Sequence, residues 1–289
     1  MTALACELPA QRAEPLSRSS TADLARLIGA HPEAPPLSVS TIWRLLDRAA
    51  LKPWRSRSWL SPRDPQFAIT AGRVLDLYAG WWEGQPLAAA DHVLSADEKT
   101  GIQARIRCHA SVAPLPGQAM RVAHDYDRGG ALAYLAAWDV RRGGVIGRCE
   151  GRTGTAAFGR LVAQVMSQEP YRSARRVFWV VDNASSHRGA KAACELMACY
   201  PNLTVVHLPT HASWLNQIEV SFSILQRTVL TPNDFPDLAA VEARLLAFEA
   251  LYNDTAVPFD WRFTRTDLEE RLAQLPTLPA PTAVLPEAA

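Results

Sequence analysis

One run of six residues constrains this chain more than any other. Arg176-Val-Phe-Trp-Val-Val181 is apolar, β-branched or aromatic at five successive positions, then stops at Asp182-Asn183. Such a run reads as a strand buried on both faces. A strand of that kind needs helices on each side of its sheet, and strand ends of open α/β sheets are where sites assemble. Flanking segments predict the rest. Strands are expected over His92–Asp97, Ala119–His124, Ala131–Val140, Val145–Cys149 and Leu203–His207, with Arg141-Arg-Gly-Gly144 as a hairpin turn. Helices are expected over Thr155–Gln168, His187–Cys199, Ala212–Leu230 and Leu238–Tyr252. The order of a run of strands, helix, strand, helix, strand, helix predicts an α/β fold, a mixed five-stranded sheet with flanking helices.

The chain before this region has another character. Thr21–Ile28 reads as a short helix capped by Thr21, with Leu24, Leu27 and Ile28 on one face. After a Pro-rich break at His31–Pro36, a second helix is expected within Leu37–Leu51, capped by Ser38 or Ser40, with Ile42, Leu45, Leu46 and Ala49 at helical spacing. Two short helices of this kind suggest a helix-turn-helix, although the break is longer than the usual turn and a plain helical hairpin fits equally well. The second helix would present Ser40, Thr41, Arg44 and Arg48, residue types that touch phosphates and base edges. Lys52–Asp64 carries Lys52, Arg55 and Arg57 with Trp54 and Trp59, and reads as a basic arm along DNA. Phe67–Trp82 is expected to be a linker helix. The resulting division is 1–65 for the helix-turn-helix-like region and arm, 66–86 for the linker helix, 87–275 for a catalytic domain and 276–289 for a flexible tail.

Net charge is only +1, but its distribution is uneven. From Thr100 to Lys191 there are fourteen Lys or Arg and six Asp or Glu, whereas from Thr231 onward there are four and ten. That asymmetry suits one phosphate-facing side and one solvated acidic end. The five cysteines include no C-x-x-C pair and no zinc spacing, which fits a reducing cytoplasm. No apolar run approaches the roughly 20 residues of a membrane span, and the first residues do not resemble a secretory signal. Neither a Gly-x-Ser-x-Gly elbow nor a phosphate loop is present.

Three acids stand where a site would form. Asp97 closes the first strand, Asp182 closes the buried run, and Glu219 lies in the helix expected over Ala212–Leu230. Neighbours on a strand point to opposite faces, and the alternation Val93, Ser95, Asp97 selects Asp97 over Glu98. Carboxylates converging from separate elements provide hard oxygen ligands for Mg²⁺, and two such ions can activate an attacking oxygen and stabilise a leaving one. Asn183 and His187 lie near Asp182, and Asn216 stands three positions before Glu219 on the same expected helix face. Singly, each acid is as easily a capping or solvated carboxylate; their order raises the signal.

The blocks around these acids, Leu94-Ser-Ala-Asp-Glu-Lys-Thr-Gly-Ile-Gln-Ala104, Ala123-His-Asp-Tyr126, Gly144-Val-Ile-Gly-Arg148, Val181-Asp-Asn-Ala-Ser-Ser-His187 and Leu208-Pro-Thr-His-Ala-Ser-Trp-Leu-Asn-Gln-Ile-Glu219, resemble bacterial insertion-sequence transposases. The group is the mariner-like (insertion sequence 630) one of the DDE transposase superfamily. The 36 residues between Asp182 and Glu219 look like that group's spacing. The resemblance implies a ribonuclease H-like catalytic domain, with Asp97, Asp182 and Glu219 as ligands of two Mg²⁺ or Mn²⁺ ions. It also implies double-stranded DNA as partner (terminal inverted repeats and target), a homodimer in the active complex, a cytoplasmic, nucleoid-associated location and no membrane. Water would first cut at the element's end, and the freed 3′ hydroxyl would then attack target DNA. Family members carry a longer N-terminal DNA-binding region, so a truncated N-terminus is expected here. Two rival readings are a catalytically inactive or repurposed transposase-derived DNA-binding protein, against which the three acids argue, and a plain nuclease, against which the helix-turn-helix and basic arm argue.

Overall fold

The computed structural model describes residues 1–32, 34–55, 62, 64–183 and 196–275. Arg57, His187, Cys194 and the 276–289 tail lie outside the described residues. Two compact units are present, Met1–Ser61 and Pro62–Ala289.

In the first unit, α1 (Thr2–Cys6), α2 (Thr21–Gly29) and α3 (Val39–Arg48) enclose a small core of Ala5, Leu24, Ile28, Ile42 and Leu46. The cap of α2 is Ser20 rather than Thr21. Its Oγ accepts from Asp23 N–H at 3.1 Å while Asp23 accepts from Ser20 N–H at 2.9 Å, a reciprocal box that Thr21 cannot form from inside the helix. Ser38 caps α3, accepting from Thr41 N–H at 3.2 Å. Leu45, expected on the apolar face, is 36% exposed.

The second unit begins with α4 (Phe67–Tyr78). The helix ends four residues earlier than expected because Gly80, at φ +88°, turns the chain into a two-stranded ribbon of β1 (Trp81–Trp82) and β2 (Gln85–Pro86). Phe67, Ala71, Val74, Leu75 and Leu77 of α4 are built into the main core.

That core sits on a five-stranded sheet: β3 (Asp91–Arg107), β4 (Tyr126–Asp139), β5 (Val145–Glu150), β6 (Arg176–Val181) and β7 (Leu203–His207). Its order is β5-β4-β3-β6-β7. The β4–β5 and β3–β4 pairs are antiparallel; β3–β6 and β6–β7 are parallel. One face carries α5 (Thr155–Met166), packed through Phe158, Leu161, Val162 and Val165 onto Leu94, Ala96, Trp179 and Val181. The other carries α6 (Ile218–Thr228), α7 (Leu238–Asp254) and α8 (Arg265–Ala273), with Phe222, Leu225, Val241 and Leu268 against Val93, Tyr134 and Trp138. Both faces of β6 are covered, as an unbroken apolar run requires.

Three expectations are corrected. No strand forms over Ala119–His124; Arg121 makes only an isolated bridge to Val112. Pro114 and Pro116 remove two donors from the opposing arm, so the ladder cannot propagate. The first strand runs ten residues beyond Asp97, because β4 pairs with it through bulges after Lys99 and Gln103, with Gly101 at φ +66°. The helix expected over Ala212–Leu230 is broken, as described below. Of the helix expected over His187–Cys199, residues 196–199 are helical and the rest lie outside the described residues. The β4–β5 turn forms where Arg141-Arg-Gly-Gly predicts it: Asp139 Oδ1 accepts from the N–H groups of Arg141 and Arg142, both at 3.0 Å, and Gly143 adopts φ +76° against the Val257 backbone.

Candidate active site

Parallel register brings the first two acids together. Ala96 on β3 pairs with Val181 on β6 as the last pair of the parallel ladder, so Asp97, within the longer β3, lies beside Asp182 just past the end of β6. Val93 faces the core under α6, and Leu94 and Ala96 face α5. Asp97 therefore shares the face of Val93 and Ser95, where Asn216 meets it.

The third acid arrives through a break in the chain. Ser213–Leu215 forms a single 3-10 turn, Asn216 is extended at φ −80° and ψ 105°, and α6 starts only at Ile218. Asn216 thus precedes the helix instead of sharing a helical face with Glu219. The break turns its amide inward, where it is 1% exposed. Asn216 Nδ2 donates to Asp97 Oδ2 at 3.1 Å and to Ala96 O at 3.2 Å. Its Oδ1 accepts from Ser95 Oγ, which in turn accepts from Ile218 N–H at 3.0 Å. Tyr78 Oη, from α4, donates to Leu215 O at 2.9 Å and fixes the segment just before the break. Glu219, exposed in the first turn of α6, sits where a helix favours negative charge.

Electrostatics support convergence. Burial pushes the Asp97 carboxyl up to about 7, and the like charges of Asp182, Glu98 and Glu219 add to that, against a 2.8 Å bond from Glu98 N–H. Asp182 and Asn183 line a cleft of about 270 Å³ with Pro209, Thr210, His211 and Ser213. Asn183 Nδ2 donates to Leu208 O, pinning the loop that forms the cleft's other wall. His211 holds φ +62° there, a conformation that costs a non-glycine residue of order 1 kcal/mol or more and gathers at functional sites.

The donor set suits a hard divalent cation. Among the described residues no three His, Cys, Asp or Glu groups are placed to hold a metal ion together. Mg²⁺ does not require three, since it takes one or two carboxylates and completes its shell with water and phosphate oxygens. A carboxylate pushed up to about 7 by burial, with like-charged neighbours adding to it, is an environment a cation relieves.

In the first unit, Ser40, Arg44, Arg48, Lys52 and Arg55 are exposed. Thr41 is half-buried and engaged by Ser38 Oγ at 2.8 Å and by Arg44 Nη2 at 3.4 Å. Sequence reasoning passed over Ser95 and Tyr78. The only signal for Ser95 was a polar residue at an inward position of the Val93-Ser95-Asp97 alternation.

A ribonuclease H-like sheet with acids where two neighbouring parallel strands stop pairing defines a class of nucleic-acid-cutting domains. The sequence over residues 92–242, more than half of the chain, matches the DDE superfamily endonucleases, and the chain belongs to that family. Its fold is shared with solved structures of the Mos1 mariner transposase. The Mos1 paired end complex with Mg aligns at TM-score 0.55 and 18% identity, covering 90% of this chain and 80% of that one. The paired end complex with Mn aligns at 0.51 and 18%, covering 82% and 73%. The Mos1 strand transfer complex aligns at 0.50 and 18%, covering 82% and 72%. No curated protein matches the chain.

Proposed function

We propose that this chain is the transposase of an insertion sequence of the mariner-like 630 group, cutting DNA at the element's ends and joining them to a target. The observation that carries the reading is the placement of Asp97 and Asp182 side by side where the ladder of β3 with β6 stops, with the charge of Glu219 acting on Asp97. These three residues would hold two Mg²⁺ or Mn²⁺ ions, which when bound supply Lewis acidity to the attacking and leaving oxygens. Asn216 orients Asp97, and Asn183 keeps the cleft beside Asp182 open. Water opens the phosphodiester and the released 3′ hydroxyl then attacks the target strand, so one site serves both transfers.

On this reading residues 1–65 bind the terminal inverted repeats through α3, with Ser40, Arg44 and Arg48 facing the duplex and Lys52, Arg55 and Arg57 along phosphates; Thr41 orders the start of α3. Residues 66–86 lead into the catalytic domain of 87–275. Solved paired end complexes of the Mos1 transposase with Mg or Mn, and its strand transfer complex, support the chemistry; the same reading takes the active complex as a homodimer acting in the cytoplasm, associated with the nucleoid. The test is an end-labelled terminal repeat incubated with the chain, with and without Mg²⁺. Metal-dependent cutting followed by joining is expected. Binding without cutting selects a repurposed DNA-binding protein, and nicking without joining selects a plain nuclease.

A further inference from the structure

Ser95 lies two residues before Asp97, and it is fully buried. Its hydroxyl has one proton to give. Ile218 N–H can only donate, and it reaches Ser95 Oγ at 3.0 Å. The Ser95 proton goes to Asn216 Oδ1, with which its Oγ is hydrogen-bonded; the nearby Tyr78 hydroxyl spends its own proton on Leu215 O. That choice fixes the amide: Oδ1 faces Ser95, and Nδ2 faces Asp97 Oδ2 and Ala96 O. A flipped amide would set its oxygen against a carboxylate and a carbonyl, three acceptors with no proton among them. The bonds thus run in one direction, from Ile218 N–H through Ser95 and Asn216 to Asp97.

The same hydroxyl holds the start of α6. The helix has no side-chain cap from its own N-cap residue, Gln217. Ser95 supplies the missing acceptor from a strand 123 positions away in sequence, next to the residue that carries Glu219. A free first-turn N–H is otherwise an unsatisfied buried donor.

We infer that Ser95 is a positioning residue for divalent-cation binding, setting the carboxylate of Asp97 through Asn216 and the approach of Glu219 through Ile218. This rests on the metal-dependent reading above. Partners that orient metal ligands typically change affinity about 10–100-fold when removed.

The test is Mn²⁺ titration of the full chain, read as free Mn²⁺ by electron paramagnetic resonance, alongside thermal melts. Ser95→Ala is expected to weaken Mn²⁺ binding about 10–100-fold, and Ser95→Thr, which keeps the hydroxyl, to restore it. Asn216→Leu should weaken binding equally, and the double variant no further, because both sit on one relay. Wild-type Mn²⁺ affinity in folded Ser95→Ala overturns the inference, as does full additivity with Asn216→Leu, or a parent chain that binds no Mn²⁺. Should Ser95→Ala fail to fold, Asn216→Leu decides: unchanged affinity overturns the relay and weakened affinity sustains it. A parent chain that binds Mn²⁺ but cuts no DNA removes the transposase reading and leaves the role of Ser95 standing. Metal-dependent cutting with unchanged Mn²⁺ affinity in Ser95→Ala does the reverse.

Discussion

Asn216 Nδ2 lies 3.1 Å from Asp97 Oδ2, so the amide of a helix-leading residue holds the carboxylate of a strand-borne one. Because this contact is buried, changes at either residue reach stability, metal affinity and chemistry together.

Stability should fall as pH rises through the Asp97 transition. The carboxyl is held up to about 7 in the fold, mainly by burial, against an ordinary 3.8. A raised acid favours its neutral form in the fold, so stability is full below about pH 4, declines towards pH 7 and then levels. Glu249, also raised by burial, acts in the same direction. Asp91, held well below its ordinary value chiefly by Arg175, acts in the opposite direction but only at more acidic pH. Asp97→Asn should stabilise the metal-free chain at pH 8 by on the order of 2–4 kcal/mol and flatten this profile. Melting curves from pH 4 to 8 check it; an unchanged profile contradicts it.

Divalent metal should raise the melting temperature at pH 8. Binding to the folded state alone contributes about 2.7 kcal/mol at 100 times Kd. Asp97→Asn and Asp182→Asn should lose most of that gain. Calorimetry with and without excess Mg²⁺ reads it directly, and an equal gain in both variants argues against these ligands.

Asp182→Ala should abolish Mg²⁺-dependent cleavage of end-labelled DNA while leaving DNA binding largely intact. Its place one residue past β6 puts it at the site and in the second unit, whereas α3 belongs to the first. Full cleavage by the variant would remove Asp182 from the site.

Arg44→Ala and Arg48→Ala should weaken DNA binding without touching Mn²⁺ affinity. Each exposed guanidinium that contacts a phosphate steepens the salt dependence by about 0.9 in log–log slope, so each loss should flatten it by about that much. Gel shifts at several salt concentrations measure it; an unchanged slope places these arginines off the duplex.

Gly147→Ala should destabilise the second unit by about 1–3 kcal/mol through overpacking. A Cβ there overlaps the ring of Tyr134, which is buried and tied by its hydroxyl to Glu249 at 2.8 Å. Gly147 N–H donates to that same carboxylate at 3.0 Å, so neither neighbour can give way easily. A melting temperature equal to wild type would show that the ring can move.

Local chemistry was legible in the sequence wherever it decided the outcome. The run ending at Val181 forms with the expected bounds, because a strand buried on two faces must be apolar almost throughout; the edge strand Leu203–His207 also forms with the expected bounds. Alternation told Asp97 from Glu98, since side chains of adjacent strand residues point apart. The break at Asn216 was not legible, because Ser213 to Leu230 keeps helical spacing on both sides of it. Only the packing of α6 on β3 decides that Asn216 turns inward. The absent strand at Ala119–His124 likewise depended on what the opposing arm could donate. By itself the sequence determined the sheet's apolar strands and the acids that stand on or just after them, through periodicity and burial. Tertiary structure alone decided that Ser95 and Asn216, 121 positions apart, share a hydrogen bond that holds Asp97, because a buried polar contact between distant segments leaves no local pattern in either.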